Sequence, residues 1–305
     1  MIRLIEVADL VKSYPNGVTA NDNLNFSLNE GETVGLIGPN AAGKTTFIRQ
    51  LLGLLRPTEG QITVLGQDII RRPHAIKGLV AYVPQTPLYY PALSVEEVIG
   101  LVLQFRNYPS NKIKRKVQDT LELIGLQQSA KSAGYQLSGG STKLVLLGMA
   151  LCQDTPFLIL DEPTAMVDVE KKSRIWEAIR GSQTKSILLA SHDLKEVQDY
   201  CNRVYFILGG KFIAEGAPHE IAAMVKLPVL VSIVAENREI ALGLMNASGA
   251  DYRLTGENIE IVCENLSEGI KHMQDIESAC GLRYVHIEAP SLDRAVKKML
   301  ETRGA

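Results

Sequence analysis

Gly38-Pro39-Asn40-Ala41-Ala42-Gly43-Lys44-Thr45 satisfies the spacing G-x-x-x-x-G-K-[ST], and Thr46 follows it. Successive backbone N–H groups at the start of a helix make an anion cradle, and the helix dipole favours negative charge there. In that reading Gly38, Asn40, Ala41, Gly43 and Thr46 line a phosphate loop. Lys44 reaches the β- and γ-phosphates of a nucleoside triphosphate, and the Thr45 hydroxyl holds Mg²⁺. A second group, Asp161-Glu162, closes the apolar run Phe157-Leu158-Ile159-Leu160. Asp161 is suited to support Mg²⁺, and Glu162 to polarise an attacking water as general base.

These residues need particular elements to hold them. Thr33–Ile37 reads as a buried strand before the loop, and Phe47–Leu55 as a helix after it, ended near Arg56-Pro57. The run 157–160 has the uniform apolarity of a strand buried on both faces of a parallel sheet. Carboxylates at its C-terminal edge stand where ligands bind in such sheets. Ser186–Ala190 is another apolar strand and ends in Ser191-His192-Asp193, while Leu79–Val83 precedes Pro84-Gln85. A histidine or glutamine so placed is, taken alone, only a polar strand cap.

Between the phosphate loop and the acidic pair stands Leu137-Ser138-Gly139-Gly140. The ordered set resembles the ATP-binding-cassette (ABC) ATPases over roughly residues 2–222. The resemblance implies a P-loop α/β cassette with an antiparallel β-subdomain and a helical subdomain, binding ATP and Mg²⁺. It implies that Ser138, Gly139 and Gly140 contact a nucleotide bound by a second copy of the chain in a head-to-tail sandwich. His192 would contact the γ-phosphate and link it to the water and Glu162, a catalytic pair. Gln85 would join Mg²⁺ to the permease contact, Asp168 would lie in the loop crossing the dimer interface, and Tyr14 would stack on adenine. Three residues depart from the family pattern: Ala41 in place of glycine, Ser141 in place of glutamine, and Leu144 in place of arginine. If position 41 requires φ > 0, its Cβ costs roughly 1–2 kcal/mol. Weaker nucleotide use and a looser closed dimer are the expected consequences.

At 305 residues the chain exceeds one typical domain. Residues 2–35 and 60–83 read as the antiparallel subdomain. Residues 94–152 read as helical, with apolar positions at helical spacing in Val95–Phe105 and Val117–Leu126, and a helix from Thr142 to Cys152 that begins beside the Leu-Ser-Gly-Gly tetrapeptide. A boundary is expected at Lys226-Leu227-Pro228, giving a cassette at 1–226 and an accessory domain at 227–305. The latter reads strand 229–235, helix 238–248, strands 250–255 and 258–263, helix 267–279 and strand 282–288. That βαββαβ order makes it a small ferredoxin-like α+β domain, followed by a last helix from Ser291 through Leu300.

A formal net charge of −2 gives no nucleic-acid footprint, so no nucleic-acid partner is expected. Lys112–Lys116 reads as a solvated helix face, with proximity to anionic headgroups the alternative. The four cysteines form no C-x-x-C pair, which fits a reducing compartment. Met1–Glu6 lack the apolar core of a signal peptide, and no window has the ~18 apolar residues of a membrane span. The expected protein is therefore the ATPase subunit of an ABC transporter, a homodimer peripheral to the cytoplasmic face of the membrane on separate permease subunits. Ala289-Pro290-Ser291-Leu292-Asp293 resembles the Pro-Ser-Leu-Glu-Asp segment ending many ABC-2 cassettes, which points to an exporter. The alternatives are a soluble or regulatory cassette of low turnover, and a methionine-importer-like cassette with a ligand-binding tail.

Overall fold

Alternating burial along β1 (Arg3–Ser13) and β2 (Thr19–Asn29) turns Ile5, Val7, Leu24, Phe26 and Leu28 to one side, and the two strands pair antiparallel. The computed structural model describes residues 2–86 and 91–303. Next come β3 (Thr33–Ile37), α1 (Lys44–Leu51), β4 (Glu59–Val64), β5 (Gln67–Asp68) and β6 (Val80–Val83). The order β2-β1-β4-β5 makes an antiparallel sheet of the expected kind. α1 starts at Lys44 rather than Phe47, because the phosphate loop runs straight into its first turn. It ends at Leu51, ahead of Arg56-Pro57, in a turn that puts Gly53 at φ 66°.

The helical segment comprises α2 (Val95–Phe105), α3 (Ser110–Ile124) and α4 (Gly139–Leu151), packed on one another. Ser94 and Glu97 close a reciprocal capping box on α2. α3 begins seven positions before Val117, because the Lys112–Lys116 stretch is itself helical and mostly solvated. α4 is buried nearly all round, so it shows no single apolar face, and it starts at Gly139 with Ser138 as its cap.

The chain continues through β7 (Phe157–Asp161), α5 (Val169–Gly181), β8 (Ser186–Ala190), α6 (Leu194–Tyr200), β9 (Arg203–Leu208) and β10 (Lys211–Gly216). The second sheet has the order β10-β9-β3-β8-β7-β6, parallel except for the β9–β10 hairpin. Gly209 and Gly210 turn that hairpin at φ 55° and 79°. Leu158, Ile159 and Leu160 are at most 1% exposed, each contributing about 2 kcal/mol by burial. Because β3, β6, β7 and β8 run in one direction, their C-terminal ends share an edge. The phosphate loop leaves β3 there, Gln85 follows β6, Asp161 ends β7, and His192 follows β8.

A second compact unit begins at Pro218. It contains α7 (Pro218–Ala223), β11 (Val229–Ala235), α8 (Arg238–Ser248), β12 (Asp251–Thr255), β13 (Asn258–Cys263), α9 (Leu266–Cys280), β14 (Leu282–Glu288) and α10 (Leu292–Arg303). Its sheet order, β12-β13-β11-β14, with every pair antiparallel, is the ferredoxin-like arrangement. Val231, Ile233, Ile259, Ile261, Met245 and Ile276 form its core. α7 packs on α10 and so belongs with this unit, whereas the boundary expected after Lys226 lies beyond that helix. Ser291 accepts from the Arg294 N–H at the start of α10, and the Arg294 guanidinium donates to the Pro228 carbonyl at 2.8 Å.

Candidate functional site

The phosphate loop has no room to spare. Gly43 caps α1 at φ 111°, and a Cβ there would lie 2.2 Å from the Ala20 carbonyl oxygen. A Cβ on Gly38 would meet the Ile207 carbonyl oxygen at the same distance. The Asn21 side chain donates to the Gly43 carbonyl at 3.2 Å and accepts from Gln50 at 2.6 Å, a buried brace under the loop. Ala41 stands at φ 62°, in the left-handed region. The strain that its sequence position raised as a condition is therefore present.

The Lys44 ammonium is folded back, donating to the Gly38 and Pro39 carbonyl oxygens at 2.6 and 3.0 Å. Burial lowers its pKa, opposed by the charges of Glu162 and Asp161. Around it opens a cleft of about 380 Å³, lined by Asn40–Thr46, Gln85, Asp161 and Glu162, with Ala20 from β2. The cleft thus unites the predicted phosphate-loop and metal residues apart from Gly38, whose carbonyl Lys44 holds, while His192 is not among the residues that line it. Among the described residues no three His, Cys, Asp or Glu side chains gather as a metal cluster.

Asp161 and Glu162 are 3% and 5% exposed. Burial raises the Asp161 pKa most strongly, and a hydrogen bond from the Tyr82 hydroxyl at 3.3 Å works the other way. Glu162 lies just past the strand at φ 53°, its N–H donating to Ala190 at 2.9 Å. This bend sends its carboxylate to His192, whose Nδ1 lies 2.6 Å from Oε2. A buried carboxylate at the lip of a phosphate cleft, touching an outward imidazole, can take a proton from water and share it.

The loop bearing His192 is braced from α5. Trp176 Nε1 and the Ser191 hydroxyl donate to opposite oxygens of the buried Glu196 carboxylate, each at 2.8 Å. Lys172 pairs with Asp193 at 2.9 Å, and that hydrogen bond holds the Asp193 pKa low.

Other expected residues stand outside the cleft. Ser138 caps α4, its hydroxyl 3.0 Å from that of Ser141. Gly140 abuts Lys171, to whose side chain an added Cβ would approach within 2.5 Å. Asp168 caps α5 by accepting from the Lys171 N–H and ammonium, so only its capping is accounted for within one chain. Ser141 and Leu144 line a different cleft with Lys171 and Arg174. The Tyr14 ring lies under the Lys12 ammonium at 5.4 Å from its centroid and does not line the phosphate cleft.

Sequence reasoning missed Tyr82, the Asn21 brace, the Glu196 anchor and Lys143. The Lys143 ammonium, on a residue only 7% exposed, donates to the carbonyls of Gln85 at 2.8 Å and Glu162 at 3.1 Å. A signal existed: it is the only charged residue between Ser138 and Cys152. A lone charge in an apolar helix buried all round must reach a polar partner.

Sheet order, glycine cradle and acidic strand end together define a P-loop nucleotide-hydrolysing cassette. The profile of the ABC transporter family matches residues 21–165. Nod factor export ATP-binding protein I of Cupriavidus pinatubonensis is 31% identical over 285 residues, covering 93% of this chain and 86% of the relative. Its counterpart from Paraburkholderia xenovorans is 36% identical over 221 residues, 72% of each. A solved structure described as the ATP binding subunit of an ABC transporter superposes with TM-score 0.66 at 28% identity, over 72% of this chain and 92% of that one. The cbiO1 structure from Clostridium perfringens gives TM-score 0.66 at 25% identity, over 81% and 96%. The chain belongs to the ABC transporter ATP-binding family. It binds ATP and is an ATPase subunit of a transporter. Among the described residues no helix is long and apolar enough to cross a membrane.

Proposed function

We propose that this chain powers an ABC-2-type exporter, working as a head-to-tail dimer with Mg²⁺-ATP between the two copies, on the cytoplasmic face of separate membrane permease subunits. The observation that carries hydrolysis is the Glu162–His192 contact at 2.6 Å beside the phosphate cleft. Export is supported by relatives named for it that are 31–36% identical and by the Ala289–Asp293 segment. No cargo follows from those names.

The residues present fit the cofactors. Gly38 and Gly43 let the loop close on Ile207 and Ala20 where a Cβ would not fit, leaving its backbone N–H groups in a cradle's shape, and Thr45, Gln85 and Asp161 offer oxygen ligands of the kind a hard Mg²⁺ takes. With no cluster of three carboxylate, imidazole or thiolate ligands among the described residues, the cation would depend on phosphate and water oxygens as well. When bound, it neutralises charge developing on the transferred phosphoryl group. Lys44 would exchange one of its two carbonyl contacts for a phosphate oxygen. Glu162 would orient a water and accept its proton, and His192, with Nδ1 against Glu162, would turn its Nε2–H to a γ-phosphate oxygen. Ser138, Gly139, Gly140 and Asp168 lie outside their own chain's cleft, and that supports their service to a partner copy's nucleotide. Tyr14 would stack on adenine.

The test is ATP turnover by the purified chain, alone and with its membrane permease subunits. Stimulation by those subunits, with loss in Glu162→Gln, is expected. Absence of turnover in both conditions would instead favour a regulatory cassette of low turnover, the reading that the strained Ala41 supports.

A further inference from the structure

Lys143 is a buried ammonium that the hydrolytic reading does not use. It sits on α4 next to Leu144, Val145, Leu146 and Leu147, all at most 7% exposed. Placing a lysine there is costly unless its charge and donors are satisfied. Its acceptors are two backbone carbonyls, those of Gln85 and Glu162, which follow the neighbouring parallel strands β6 and β7. Burial lowers its pKa, and the charges of Asp161 and Glu162 oppose that.

The Glu162 end of this contact is unusual. Glu162 stands at φ 53°, a conformation costing roughly 1–2 kcal/mol for a residue with a Cβ. Its N–H is tied to Ala190 at the end of β8, and its carbonyl to Lys143. A residue pinned at both its N–H and its C=O has its Cα–Cβ direction fixed, which limits where the carboxylate can reach. The carboxylate so aimed meets His192. Lys143 does not line the phosphate cleft, so nucleotide binding does not depend on touching it. It does belong to the helix whose first turn carries Gly139 and Gly140, capped by Ser138.

The geometry points to Lys143 as a positioning residue for hydrolysis: its ammonium clamps the Gln85 and Glu162 carbonyls together and holds the Glu162 carboxylate on its catalytic line. The same clamp joins the Ser-Gly-Gly helix to the hydrolytic carboxylate through one side chain. The proposal rests on Glu162 being the general base.

The experiment compares wild type, Lys143→Met, Lys143→Arg, Glu162→Gln and the double variant Lys143→Met/Glu162→Gln. Steady-state turnover and affinity for a fluorescent ATP analogue are measured for each, on protein whose fold is checked by circular dichroism. Lys143→Met should lower kcat about tenfold or more, as expected when a catalytic group is misplaced, with ATP affinity within about twofold. Lys143→Arg, which keeps a buried cation with several donors, should restore most of the rate. In the Glu162→Gln background the loss of Lys143 should cost nothing further, because a residue acting through Glu162 has nothing left to position. A fully additive double variant, or a parallel fall in affinity and kcat without rescue by arginine, would overturn the proposal and leave Lys143 a packing residue. Unchanged turnover in Lys143→Met, with Glu162→Gln inactive, overturns it alone. Unchanged turnover in Glu162→Gln overturns both it and the base assignment. If Lys143→Met does not fold, Lys143→Gln serves the same comparison.

Discussion

Glu162 and His192 touch at 2.6 Å across a boundary of exposure: the Glu162 side chain is 7% exposed and that of His192 is 68% exposed. The carboxylate is held inside by the backbone bend after β7. The imidazole stands outside on a loop that Glu196 and Lys172 brace. One partner is screened from bulk water and the other can meet an incoming phosphate.

Replacing that carboxylate by an isosteric amide separates binding from chemistry. Glu162→Gln keeps the shape and the acceptor for His192 but removes the base, which should cost about 10²–10⁴ in kcat. ATP should still bind, and a nucleotide-bound dimer should accumulate on size exclusion with Mg²⁺-ATP. A wild-type rate in this variant would remove Glu162 from the mechanism.

Asp161 should trade stability for function. Burial is the largest influence on its carboxyl and raises the pKa. A carboxyl raised on folding favours the protonated native state, so the ionised form weakens the nucleotide-free protein above the raised pKa. That penalty fades as pH falls through the raised pKa, and is gone below the ordinary value of about 3.9. Asp161→Asn should therefore unfold at higher urea near neutral pH, roughly pH 7–8, with the advantage shrinking toward acid. Hydrolysis should be lost. A variant less stable than wild type at neutral pH would show that the aspartate's contacts outweigh its desolvation.

Ala41 sits at φ 62°. Glycine there relieves steric strain but adds freedom to the unfolded chain, two opposing effects of similar size, roughly 0.4–2 kcal/mol each. Ala41→Gly should accordingly shift stability by less than about 1 kcal/mol, whereas Ala41→Val, β-branched at the same angle, should lose about 1–2 kcal/mol or more. Denaturant titration of both decides it. A valine variant as stable as wild type would mean that the loop relaxes out of the left-handed region.

Cutting the chain tests where the units divide. α7 buries Ile221 and Ala222 and packs on α10. A chain ending at Ala217 should fold cooperatively and bind ATP. One ending at Lys226 should bind ATP too but keep α7 without its cover, and bind more of a hydrophobic dye. Equal dye binding would place the division after Lys226. Weaker self-association of both truncations by sedimentation would show that the second unit helps join two copies.

Much of this protein was legible because its chemistry is local in the chain. Gly38–Thr46 is one continuous loop, and its glycines are required by contacts that any Cβ would violate. Asp161-Glu162 follows four apolar residues, so the strand and its carboxylates announce each other. The βαββαβ alternation of residues 229–288 is carried by period-two burial in β11 and β13, which the sequence displays. Helix starts were less legible: the sequence reads as a helix from Thr142, yet Gly139 and Gly140 form the first turn of α4, because the Ser138 cap offsets glycine's poor helix propensity.

What only the tertiary structure decided are the meetings between distant segments. Tyr82 reaches Asp161 across 79 positions, and Lys143 reaches Gln85 across 58. Neither pair has a spacing that a sequence pattern could encode, since each depends on which strands lie adjacent in the sheet. α7 joins the second unit for the same reason: its own sequence forms a helix, but only α10 determines which core it completes. Residue types set what chemistry is available, and strand order sets which groups can share it.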